Sequence, residues 1–567
     1  MPIPFRIALA QIDPTVGALA ANTELMRGCI ERARAAGADL VAFPEMCLTG
    51  YPPEDLLLRP GFVADAVAQL DRLAEYARGI TVVTGCVDAR GKKVFNSAAV
   101  LHCGRKAGIY HKHILPNYGV FDEKRYFHPG EENSVWRLGN VTVGISICED
   151  IWFASGPQLD QARAGADVIL NISSSPFHAR KLLERQRMLR SRARTLGTCV
   201  CYANLVGGQD ELIFDGGSSV MDPTGKLIAT GRQFEEDLVV ADLDVQAVRG
   251  LVRGQEPGGA VRVRMLKPCE PPGAKPPITV HMAPGFARWE EVYRALVLGL
   301  RDYVVKNRFQ KVLVGLSGGI DSAITATVAA DALGKENVTG VTMPSRYTSQ
   351  GTFSDSQLVA RNLDIRLITM PIENIFTGYL GTLAEPFGGT APDITEENLQ
   401  ARIRGNLLMA LSNKFGWLLL TTGNKSETST GYCTLYGDMA GGFALLKDVP
   451  KTWIYELSAY RNQRAGFDLI PDSVIKRPPT AELKPNQTDQ DTLPPYDVLD
   501  AIIEAYVERD LSRAEIVKMG FDPAVVSRVA TMIDRNEYKR RQAPPGLKIT
   551  PKAFGRDRRM PITNRYS

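Results

Sequence analysis

A cysteine followed at once by two acidic residues closes an apolar stretch in the first third of the chain. The stretch Val141–Ile147 has the composition of a buried strand. Cys148, Glu149 and Asp150 come directly after it. A nucleophile or acid at the carboxyl end of a buried strand is more often part of a site than of the packing. A lone cysteine is usually a small core residue, so a functional interpretation requires a base and an electrostatic partner elsewhere.

Two earlier residues could supply those partners. Glu45 comes shortly after the apolar run Leu40–Phe43, at the end of another predicted strand, and Lys112 lies in a loop-like segment with polar neighbours. The thiolate is the reactive form of a cysteine, and a nearby ammonium lowers the thiol pKa and stabilises an oxyanion. Glu45, Lys112 and Cys148 therefore form a candidate set for nucleophilic catalysis.

A second site of chemistry lies near the middle of the chain, where a short apolar run ends in Ser-Gly-Gly and a helix is predicted over Asp321–Leu333. Adjacent glycines let backbone N–H groups turn toward an anion, and the helix N-terminus adds the positive end of its dipole. The Gly-Lys-Ser/Thr signature of a Walker A loop is missing, and an ordinary glycine turn is the alternative interpretation. We predict a nucleotide-phosphate loop made of Gly315, Leu316, Ser317, Gly318, Gly319, Ile320, Asp321 and Ser322.

Both sites lie among short predicted strands that alternate with helices. The N-terminal runs of strand length are Ile7–Gln11, Leu40–Phe43, Ile80–Thr84, Val141–Ile147, Val168–Ile172 and Cys199–Ala203. The C-terminal runs, which follow the strand before the phosphate loop, are Val338–Met343, Ile365–Met370 and Trp417–Thr421. Repeated β–α units of this size in the second half imply a parallel, doubly wound sheet. Residues 1–245 and 286–567 are the predicted domains, and the proline- and glycine-rich segment 246–285 is a predicted extended connector.

The overall composition limits the class of protein. A length of 567 residues favours two to four domains, and 44% hydrophobic with 23% charged residues is typical of a soluble globular protein. The 67 basic and 63 acidic residues leave a net charge of +4, which gives no argument for binding nucleic acid or a membrane. No apolar stretch reaches the roughly 18–20 residues of a transmembrane helix, and the N-terminus lacks the pattern of a signal peptide. A cytoplasmic location is expected.

The cysteines and histidines add two restrictions. Cys86, Cys148, Cys199 and Cys201 lie in apolar runs without a C-x-x-C pair, which predicts buried, reduced thiols. All six histidines lie at or before His281, so the chemistry of the remaining half does not depend on an imidazole, and a histidine-based zinc site is excluded there.

Glu45, Lys112 and Cys148 match, in order and local context, the Glu-Lys-Cys triad of the nitrilase/amidase superfamily. The resemblance covers roughly residues 1–245 and implies a four-layer αββα sandwich. In that family the carboxylate takes the thiol proton, the thiolate attacks a carbonyl or nitrile carbon, and the lysine stabilises the oxyanion. The resemblance to glutaminase members of the superfamily implies that the amino-acid end of glutamine is held by Tyr118, Ser175 and Lys181.

Residues 286–567 resemble the NAD⁺ synthetase family. Besides the phosphate loop, the resemblance rests on Thr422-Gly423-Asn424-Lys425-Ser426-Glu427, on Glu397–Arg404 and on Pro479–Asp489. It implies that ATP is bound by Gly315–Ser322 and Thr422, and that the deamido dinucleotide is bound by Asn398, Glu427 and Lys539.

The residues themselves support a role for Asp321 and Glu427 but not for Lys539. Asp321 and Glu427 are carboxylates on adjacent predicted strand ends, and we therefore expect them to bind Mg²⁺ together with the phosphates of ATP. Lys539 lies in the charged run Arg535–Arg541, which by itself predicts only a solvated face.

Together the two resemblances imply a glutamine-dependent member of the NAD⁺ synthetase family. The first domain would release ammonia from glutamine. The second would use ATP to adenylate the carboxylate of nicotinic acid adenine dinucleotide, so that ammonia displaces AMP. A sheltered passage for ammonia, a homo-oligomer and small-molecule partners are expected, with Mg²⁺ but with no zinc and no bound redox cofactor.

Two alternatives stay open at the level of the sequence. Another ATP-pyrophosphatase amidotransferase, making GMP or asparagine, would share the phosphate loop. Its glutaminase would use a Cys-His-Glu triad or an N-terminal cysteine, whereas the second residue here is Pro2. A nucleotide-binding sensor with an inactive amidase domain is the other alternative, and the intact set of Glu45, Lys112 and Cys148 argues against it.

Overall fold

The computed structural model describes residues 5–245, 255–267, 275–279 and 281–566. The chain divides into two compact units. Unit 1 comprises Met1–Gln209 and Ile213–Phe286, and unit 2 comprises Asp210–Leu212 and Ala287–Ser567.

Unit 1 is built around two β-sheets. In chain order, the described strands before residue 287 are β1 (Phe5–Gln11), β2 (Leu40–Ala42), β3 (Thr81–Arg90), β4 (Lys93–His102), β5 (Arg105–His111), β6 (Asn133–Leu138), β7 (Val141–Ile147), β8 (Val168–Ser173), β9 (Cys199–Asn204), β10 (Val206–Gln209), β11 (Leu212–Asp215), β12 (Ser219–Met221), β13 (Leu227–Thr230), β14 (Asp237–Leu243) and β15 (Val261–Leu266). One sheet has the order β14-β1-β2-β3-β4-β5 and the other has the order β13-β12-β9-β8-β7-β6-β15. The hairpin β10-β11 stands apart from both sheets.

The two large sheets of unit 1 pack face to face on an apolar core. Ile7, Leu9 and Val83 of the six-stranded sheet and Ile145 and Leu170 of the seven-stranded sheet belong to one buried cluster. Burying a side chain of this size contributes about 1.5–3 kcal/mol. The central strands are apolar on both faces, as expected of strands that are covered on both sides.

Helices cover the outer faces of the two sheets. They are α1 (Leu19–Ala35), α2 (Pro60–Ala74), α3 (Pro157–Arg163) and α4 (Lys181–Leu196). Helix α1 packs on α2, and α2 packs on β3. Ala162 of α3 and Leu189 and Ala193 of α4 pack against Ile169 and Val200 of the seven-stranded sheet. The predicted four-layer αββα sandwich is confirmed.

Part of the segment predicted to be a connector forms a strand. Within 246–285, β15 pairs in parallel with β6 from Val261 to Leu266 and extends the seven-stranded sheet. The proline and glycine content of the segment did not predict it, because β15 is an edge strand that exposes several of its side chains. Residues 246–254, 268–274 and 280 of the predicted connector lie outside the described residues.

Unit 2 contains a parallel sheet. Its strands are β16 (Val312–Gly315), β17 (Val338–Thr342), β18 (Arg366–Thr369), β19 (Leu418–Thr421) and β20 (Phe443–Ala444). They have the order β18-β17-β16-β19-β20 and every neighbouring pair is parallel. The strand order reverses between β16 and β19, so the loops after these two strands flank the crevice where ligands bind in folds of this type. The predicted doubly wound sheet is confirmed.

The helices of unit 2 pack around this sheet. They are α5 (Arg288–Lys306), α6 (Ile320–Leu333), α7 (Gln350–Asn362), α8 (Glu373–Leu383), α9 (Ile394–Phe415), α10 (Lys425–Thr430), α11 (Lys451–Ala465), α12 (Asp472–Lys476), α13 (Tyr496–Ile503), α14 (Arg513–Lys518), α15 (Pro523–Arg535) and α16 (Glu537–Arg540). Phe376 of α8 and Ile403 of α9 pack with Leu313, Val341 and Leu419 of the sheet. Helices α5, α6 and α11 pack on one another, and α13 to α15 form a separate apolar cluster.

The structure also tests the predictions that the cysteines are reduced and that the chain has no membrane-spanning helix. Cys86, Cys148, Cys199 and Cys201 are buried and reduced, as predicted, whereas Cys103 is disulfide-bonded. Within the described ranges, no helix combines the length and the apolar character that crossing a bilayer requires.

Candidate active sites

The first candidate site forms where strands of the two sheets of unit 1 end. Glu45 follows β2 and Lys112 follows β5, both in the six-stranded sheet. Cys148 follows β7, and Ser174 follows β8, in the other sheet. The structure thus brings together the three residues that the sequence placed far apart, and it takes them from both layers of the sandwich.

Glu45 is fully buried and both of its carboxylate oxygens are bound. Oε1 accepts hydrogen bonds from Lys112 Nζ at 2.7 Å and from Asn96 Nδ2 at 2.7 Å. Oε2 accepts from the backbone N–H of Ser174 at 2.9 Å, and the Ser174 hydroxyl donates to the Glu45 carbonyl at 2.8 Å. The carboxylate is therefore held in one orientation.

Lys112 has a second carboxylate partner that the sequence did not reveal. Its Nζ donates to Glu123 Oε1 at 2.8 Å, and Tyr51 donates to the same oxygen at 3.1 Å. Burial alone would lower the pKa of Lys112, but Glu123 and Glu45 hold it well above its ordinary value. Burial raises the pKa of Glu123 to about 7, although Lys112 opposes this shift. The ammonium therefore stays charged although its side chain is fully buried.

Cys148 has a strained backbone and a buried thiol. Its φ is +43°, a left-handed conformation that non-glycine residues rarely adopt and that clusters at functional sites. The side chain is almost completely buried. Burial raises the pKa of the thiol, and Glu45 adds to this shift while Lys112 opposes it. A thiol of this kind gives up its proton to a neighbouring base as it attacks, and Lys112 is the cation that can stabilise the resulting negative charge.

The three predicted pocket residues lie around this centre. The Tyr118 hydroxyl donates to both carboxylate oxygens of Glu149, which directly follows Cys148, at 2.9 and 3.0 Å. Ser175 is buried, and its backbone N–H donates to Asn204 at 3.1 Å. It directly follows Ser174, the residue that holds Glu45.

Lys181 belongs to the same surroundings. Its ammonium lies 4.4 Å from the ring centre of Trp152, at the end of the turn that begins at Cys148. It also contacts Glu184 at 3.1 Å. The structure brings Tyr118, Ser175 and Lys181 into the neighbourhood of the triad, and their contacts with a ligand remain predictions.

The second candidate site begins with the loop after β16. Gly318 has a φ of +87°, and a Cβ atom there would lie 2.1 Å from the Thr352 carbonyl oxygen, so only glycine fits. The hydroxyls of Ser317 and Ser322 are 3.2 Å apart, and the backbone N–H of Gly319 donates to the Ser317 hydroxyl at 3.2 Å. The loop is closed on itself and leads into the N-terminus of α6, as predicted for a site that binds a phosphate group.

Asp321 and Glu427 face a buried lysine beside this loop. Lys451 Nζ is hydrogen-bonded to Asp321 and lies 3.8 Å from Glu427. Burial raises the pKa of Glu427 to about 8, and Asp321 adds to this shift. Asn424 connects the two acids, because its side chain donates to Asp321 at 2.9 Å and accepts from the backbone N–H of Glu427 at 3.0 Å. The predicted carboxylate pair is thus brought together, with a cation that the sequence did not predict.

Asp321 and Glu427 could bind a metal ion. Among the described residues, no group of three or more His, Cys, Asp or Glu side chains is arranged to hold a metal. Two carboxylates still fit Mg²⁺, because this ion usually takes one or two protein carboxylates and completes its shell with water and substrate phosphates. The raised pKa of Glu427 fits the same interpretation, since a buried carboxylate of this kind lacks sufficient positive charge around it.

Two cavities meet at this edge of the sheet. One has a volume of about 170 Å³ and is lined by Ser317, Gly318, Asp321, Glu427 and Lys451, among others. The other has a volume of about 270 Å³ and is more apolar, with Val341, Met343, Leu408, Leu419 and Leu420 in its lining together with Arg404 and Thr422. Ser317, Asp438 and Glu482 line both cavities. A polar cavity beside an apolar one is the arrangement that the phosphates and the base of a nucleotide require.

The predicted dinucleotide residues are in different surroundings. Glu427 lies in the polar cavity. Asn398 is on α9 and accepts a hydrogen bond from the Thr434 hydroxyl at 2.8 Å. Lys539 is half-buried rather than solvated, and its Nζ donates to the carbonyl oxygens of Gly431 and Cys433 at 2.7 and 2.8 Å. It stabilises the C-terminal end of α10, the helix that carries Glu427.

Glu123 and Lys451 are the residues that sequence reasoning missed. Glu123 lies in a short turn with no strand end or motif to mark it, so its role follows only from the fold. Lys451 had a weak signal. It is the first residue of α11, and a lysine at a helix N-terminus is unfavourable for the helix dipole unless acidic groups lie nearby.

Comparison with known proteins identifies a family for each half of the chain. The carbon-nitrogen hydrolase family matches residues 6–252 and the NAD synthase family matches residues 292–543. A glutamine-dependent NAD(+) synthetase of Thermotoga maritima is 49% identical, and one of Aquifex aeolicus is 45% identical. Each match covers 99% of both chains.

Two solved structures are similar over their whole length. The glutamine-dependent NAD+ synthetase of Acinetobacter baumannii, in complex with adenosine diphosphate, is 43% identical with a TM-score of 0.76. The glutamine-dependent NAD(+) synthetase of Cytophaga hutchinsonii is 22% identical with a TM-score of 0.83, which supports the fold. In each case 99% of this chain and 98% of the other are covered.

The contacts of Glu123 predict a change in thiol reactivity. Glu123→Gln removes a negative charge that raises the pKa of Cys148, and it leaves Lys112 less neutralised. Both effects favour the thiolate, so the midpoint of a pH profile of Cys148 alkylation should fall by about one unit. The rate is measured with iodoacetamide by peptide mass spectrometry. Asp88→Asn, which changes the partner of His111 instead, is the control, and an unchanged or higher midpoint for Glu123→Gln would contradict the arrangement.

The geometry of Gly318 predicts the effect of adding one carbon to the phosphate loop. Gly318→Ala places a methyl group against the Thr352 carbonyl, so the loop must move. We expect the affinity for ATP, measured by calorimetry, to fall at least about tenfold, which corresponds to about 1.4 kcal/mol. Gly416→Ala is the matched control, because Gly416 has a φ of +68° with nothing within 4 Å of its Cβ position. Equal affinities of the two variants for ATP would contradict a role for Gly318 in binding the nucleotide.

Proposed function

The chain belongs to the glutamine-dependent NAD(+) synthetases, and from this premise we propose how its residues divide the reaction between two sites. The enzyme is a ligase that uses glutamine as the amide donor. It consumes deamido-NAD⁺, ATP, glutamine and water and forms NAD⁺, AMP, pyrophosphate and glutamate. The alternatives, a different ATP-pyrophosphatase amidotransferase and a nucleotide sensor, are set aside by full-length matches to this family.

Unit 1 is the proposed glutaminase. Glu45 accepts the proton of Cys148 as the thiolate attacks the carboxamide carbon of glutamine, and Lys112 stabilises the oxyanion. When the tetrahedral intermediate collapses, the protonated Glu45 gives its proton to the leaving nitrogen. Ammonia departs, and a thioester between Cys148 and the glutamyl group remains. Glu45 then takes a proton from the water that hydrolyses the thioester and returns it to the departing Cys148 sulfur, so that glutamate is released and the thiol is regenerated. The buried contact of 2.7 Å between Lys112 and Glu45, beside Cys148, carries this proposal.

The amino-acid end of glutamine is proposed to lie among Tyr118, Ser175 and Lys181. Lys181 supplies a positive charge for the α-carboxylate. Glu149, held by Tyr118, supplies a negative charge next to the nucleophile and suits the α-ammonium group. The opposite charges of these two residues support this orientation of the substrate.

Unit 2 is the proposed synthetase, with ATP in the two cavities beside the Gly315–Ser322 loop. The apolar cavity, with Thr422, suits the adenosine, and the loop and Lys451 suit the phosphates. The carboxylate of the dinucleotide attacks the α-phosphorus and pyrophosphate leaves. Ammonia then attacks the acyl adenylate and AMP leaves, because a mixed anhydride is a far better electrophile than a carboxylate.

Asp321 and Glu427 are the residues that would hold Mg²⁺ in this site. The ion would neutralise charge on the phosphates of ATP as pyrophosphate departs. Lys451 contacts both carboxylates, so its ammonium is positioned to move toward the phosphates when these acids bind the ion.

The dinucleotide is proposed to contact Asn398, Glu427 and Lys539, as the family resemblance implies. We also propose a cytoplasmic homo-oligomer whose partners are small-molecule substrates. The near balance of 67 basic and 63 acidic residues supports small-molecule partners rather than nucleic acid or a membrane, and the resemblance to the two families supports the homo-oligomer.

Substitution of Cys148 separates the two sites. Cys148→Ala removes the nucleophile, so glutamine-driven synthesis of NAD⁺ should fall by at least about 10³-fold. Synthesis driven by ammonium chloride should stay within about twofold of the wild type, because unit 2 carries that reaction on its own residues. Both rates are followed by AMP formation and by NAD⁺ formation. Loss of the ammonia-driven reaction would refute independent chemistry in the two units.

Substitution of Asp321 should stop synthesis of NAD⁺ but not hydrolysis of glutamine. Asp321→Asn keeps the shape of the side chain and removes the charge that binds Lys451 and the proposed Mg²⁺. Synthesis should fall by at least about 10²-fold with either nitrogen source, while basal glutamine hydrolysis persists. The control is Asp331→Asn, which alters a carboxylate bound by Tyr293 and Arg461 elsewhere in unit 2. Undiminished synthesis by Asp321→Asn would exclude the metal and phosphate role.

A further inference from the structure

The carboxylate of Asp150 has no part in the proposed chemistry, yet it is fully buried and accepts four hydrogen bonds. Oδ1 accepts from the backbone N–H groups of His113 at 3.1 Å and of Ile114 at 2.9 Å. Oδ2 accepts from the backbone N–H of Ile147 at 3.0 Å and from the Tyr110 hydroxyl at 2.8 Å. Hydrogen bonds to a carboxylate are shorter and stronger than those between neutral groups, so the four donors hold this buried side chain firmly.

The backbone donors belong to two different layers of the sandwich. Ile147 ends β7 in the seven-stranded sheet and directly precedes Cys148. His113 and Ile114 follow β5 of the six-stranded sheet and come directly after Lys112. One carboxylate therefore connects the residue before the nucleophile to the residue after the lysine, across the interface between the sheets.

The apolar core between the sheets does not by itself fix this alignment. The hydrophobic effect is non-directional and depends on the area buried. A catalytic set must be held within about 0.5 Å of its productive geometry, and a misplacement of about 1 Å can cost about 10²-fold in rate. A bridge of hydrogen bonds between the two strand ends supplies the missing constraint at the point where the chemistry requires it.

Asp150 also holds the strained turn that carries the nucleophile. Cys148 has a φ of +43° and opens the 3₁₀ turn Cys148–Trp152. The Asp150 side chain accepts from Ile147, the residue that caps this turn. A backbone conformation of this kind costs about 1–3 kcal/mol and persists only where the surroundings enforce it.

We propose that Asp150 is a positioning residue for glutamine hydrolysis, which fixes the Cys148 thiol relative to the Lys112 ammonium by binding the backbone next to each. This inference rests on the proposed roles of Cys148 and Lys112. A second connection between the sheets, from Ser174 to Glu45, holds the base. Asp150 has no contact with the substrate in this scheme and acts only through its two neighbours.

Asp150→Asn tests the proposal with a side chain of the same shape. The amide nitrogen accepts no hydrogen bond, so the backbone donors on one side of the bridge lose their partner. We expect kcat for glutamine hydrolysis to fall about 10- to 100-fold while KM stays within about threefold. Ammonia-driven NAD⁺ synthesis by the same full-length enzyme should be unchanged, because unit 2 carries that reaction, and the retained KM for glutamine shows that the site in unit 1 is folded.

A pH profile separates positioning from a merely structural role. Lys112 lowers the pKa of the Cys148 thiol, so a displaced lysine should move the midpoint of Cys148 alkylation by iodoacetamide to higher pH. Asp167→Asn is the matched control. Asp167 is also buried and accepts a backbone hydrogen bond, from Thr142 at 2.8 Å, at the opposite end of the same strand β7. This variant should lower stability without changing kcat or the alkylation midpoint.

Three outcomes overturn the proposal. They are a kcat of Asp150→Asn within twofold of the wild type, an equal loss in Asp167→Asn, and an alkylation midpoint that does not move. If Asp150→Asn is insoluble, Asp150→Ser, which leaves space for water at the donors, takes its place with the same expected result. Failure of both to fold assigns Asp150 to folding and also overturns the proposal. Cys148→Ala, assayed in parallel, distinguishes these outcomes from failure of the glutaminase assignment, since that variant would then still hydrolyse glutamine.

Discussion

The glutaminase half depends on the buried ion pairs that the Lys112 ammonium forms with Glu45 and Glu123. Moving such a charge into a protein interior costs several kcal/mol unless carboxylates and hydrogen bonds surround it. The fold meets this cost with Glu45 and Glu123, which both lie within 2.8 Å of Nζ. The same pair of acids keeps the lysine charged, and the lysine offsets the burial that raises the pKa of Cys148. Stability and chemistry therefore rest on one cluster, whose members come from both sheets of the sandwich.

Unit 2 also contains a buried lysine that is stabilised by two carboxylates. Lys451 is buried between Asp321 and Glu427, beside a loop whose backbone N–H groups and helix dipole favour an anion. In unit 1 the buried lysine is proposed to stabilise a carbonyl oxygen that gains a negative charge. In unit 2 the lysine and carboxylates surround a cavity suited to phosphates, where charge must be neutralised and the reactants aligned. Both clusters lie where strands end, because the backbone leaves the sheet there and exposes side chains to a shared cavity.

Several parts of this architecture could be predicted from the sequence, and the failures have physical causes. Buried parallel strands such as β7, β8 and β16 are continuous apolar runs, so their limits were predicted closely. Edge and antiparallel strands such as β4, β5 and β15 carry mixed residues and depend on pairing with distant segments, and they were missed. The run Arg535–Arg541 predicted a solvated face, whereas Lys539 is half-buried and stabilises the end of a helix about a hundred residues earlier in the chain.

The sequence by itself determined the candidate residues for the chemistry. Glu45, Cys148 and the phosphate loop each follow an apolar run that is typical of a buried strand, whereas Lys112 was predicted from its polar neighbours and from the family resemblance. Apolar period and segment length, which are local properties, determined the doubly wound sheet of the second half. The αββα sandwich of the first half was implied by the resemblance to the nitrilase/amidase superfamily. Only the tertiary structure decided which distant groups complete each site. Glu123 and Lys451 have local contexts with little signal, and the strand end marked Asp150 but not its partners. The importance of all three comes from contacts with residues that are close in space but remote in the chain. A buried charge is stabilised by whatever the fold places within about 3 Å of it, and that distance is set by the packing of the sheets.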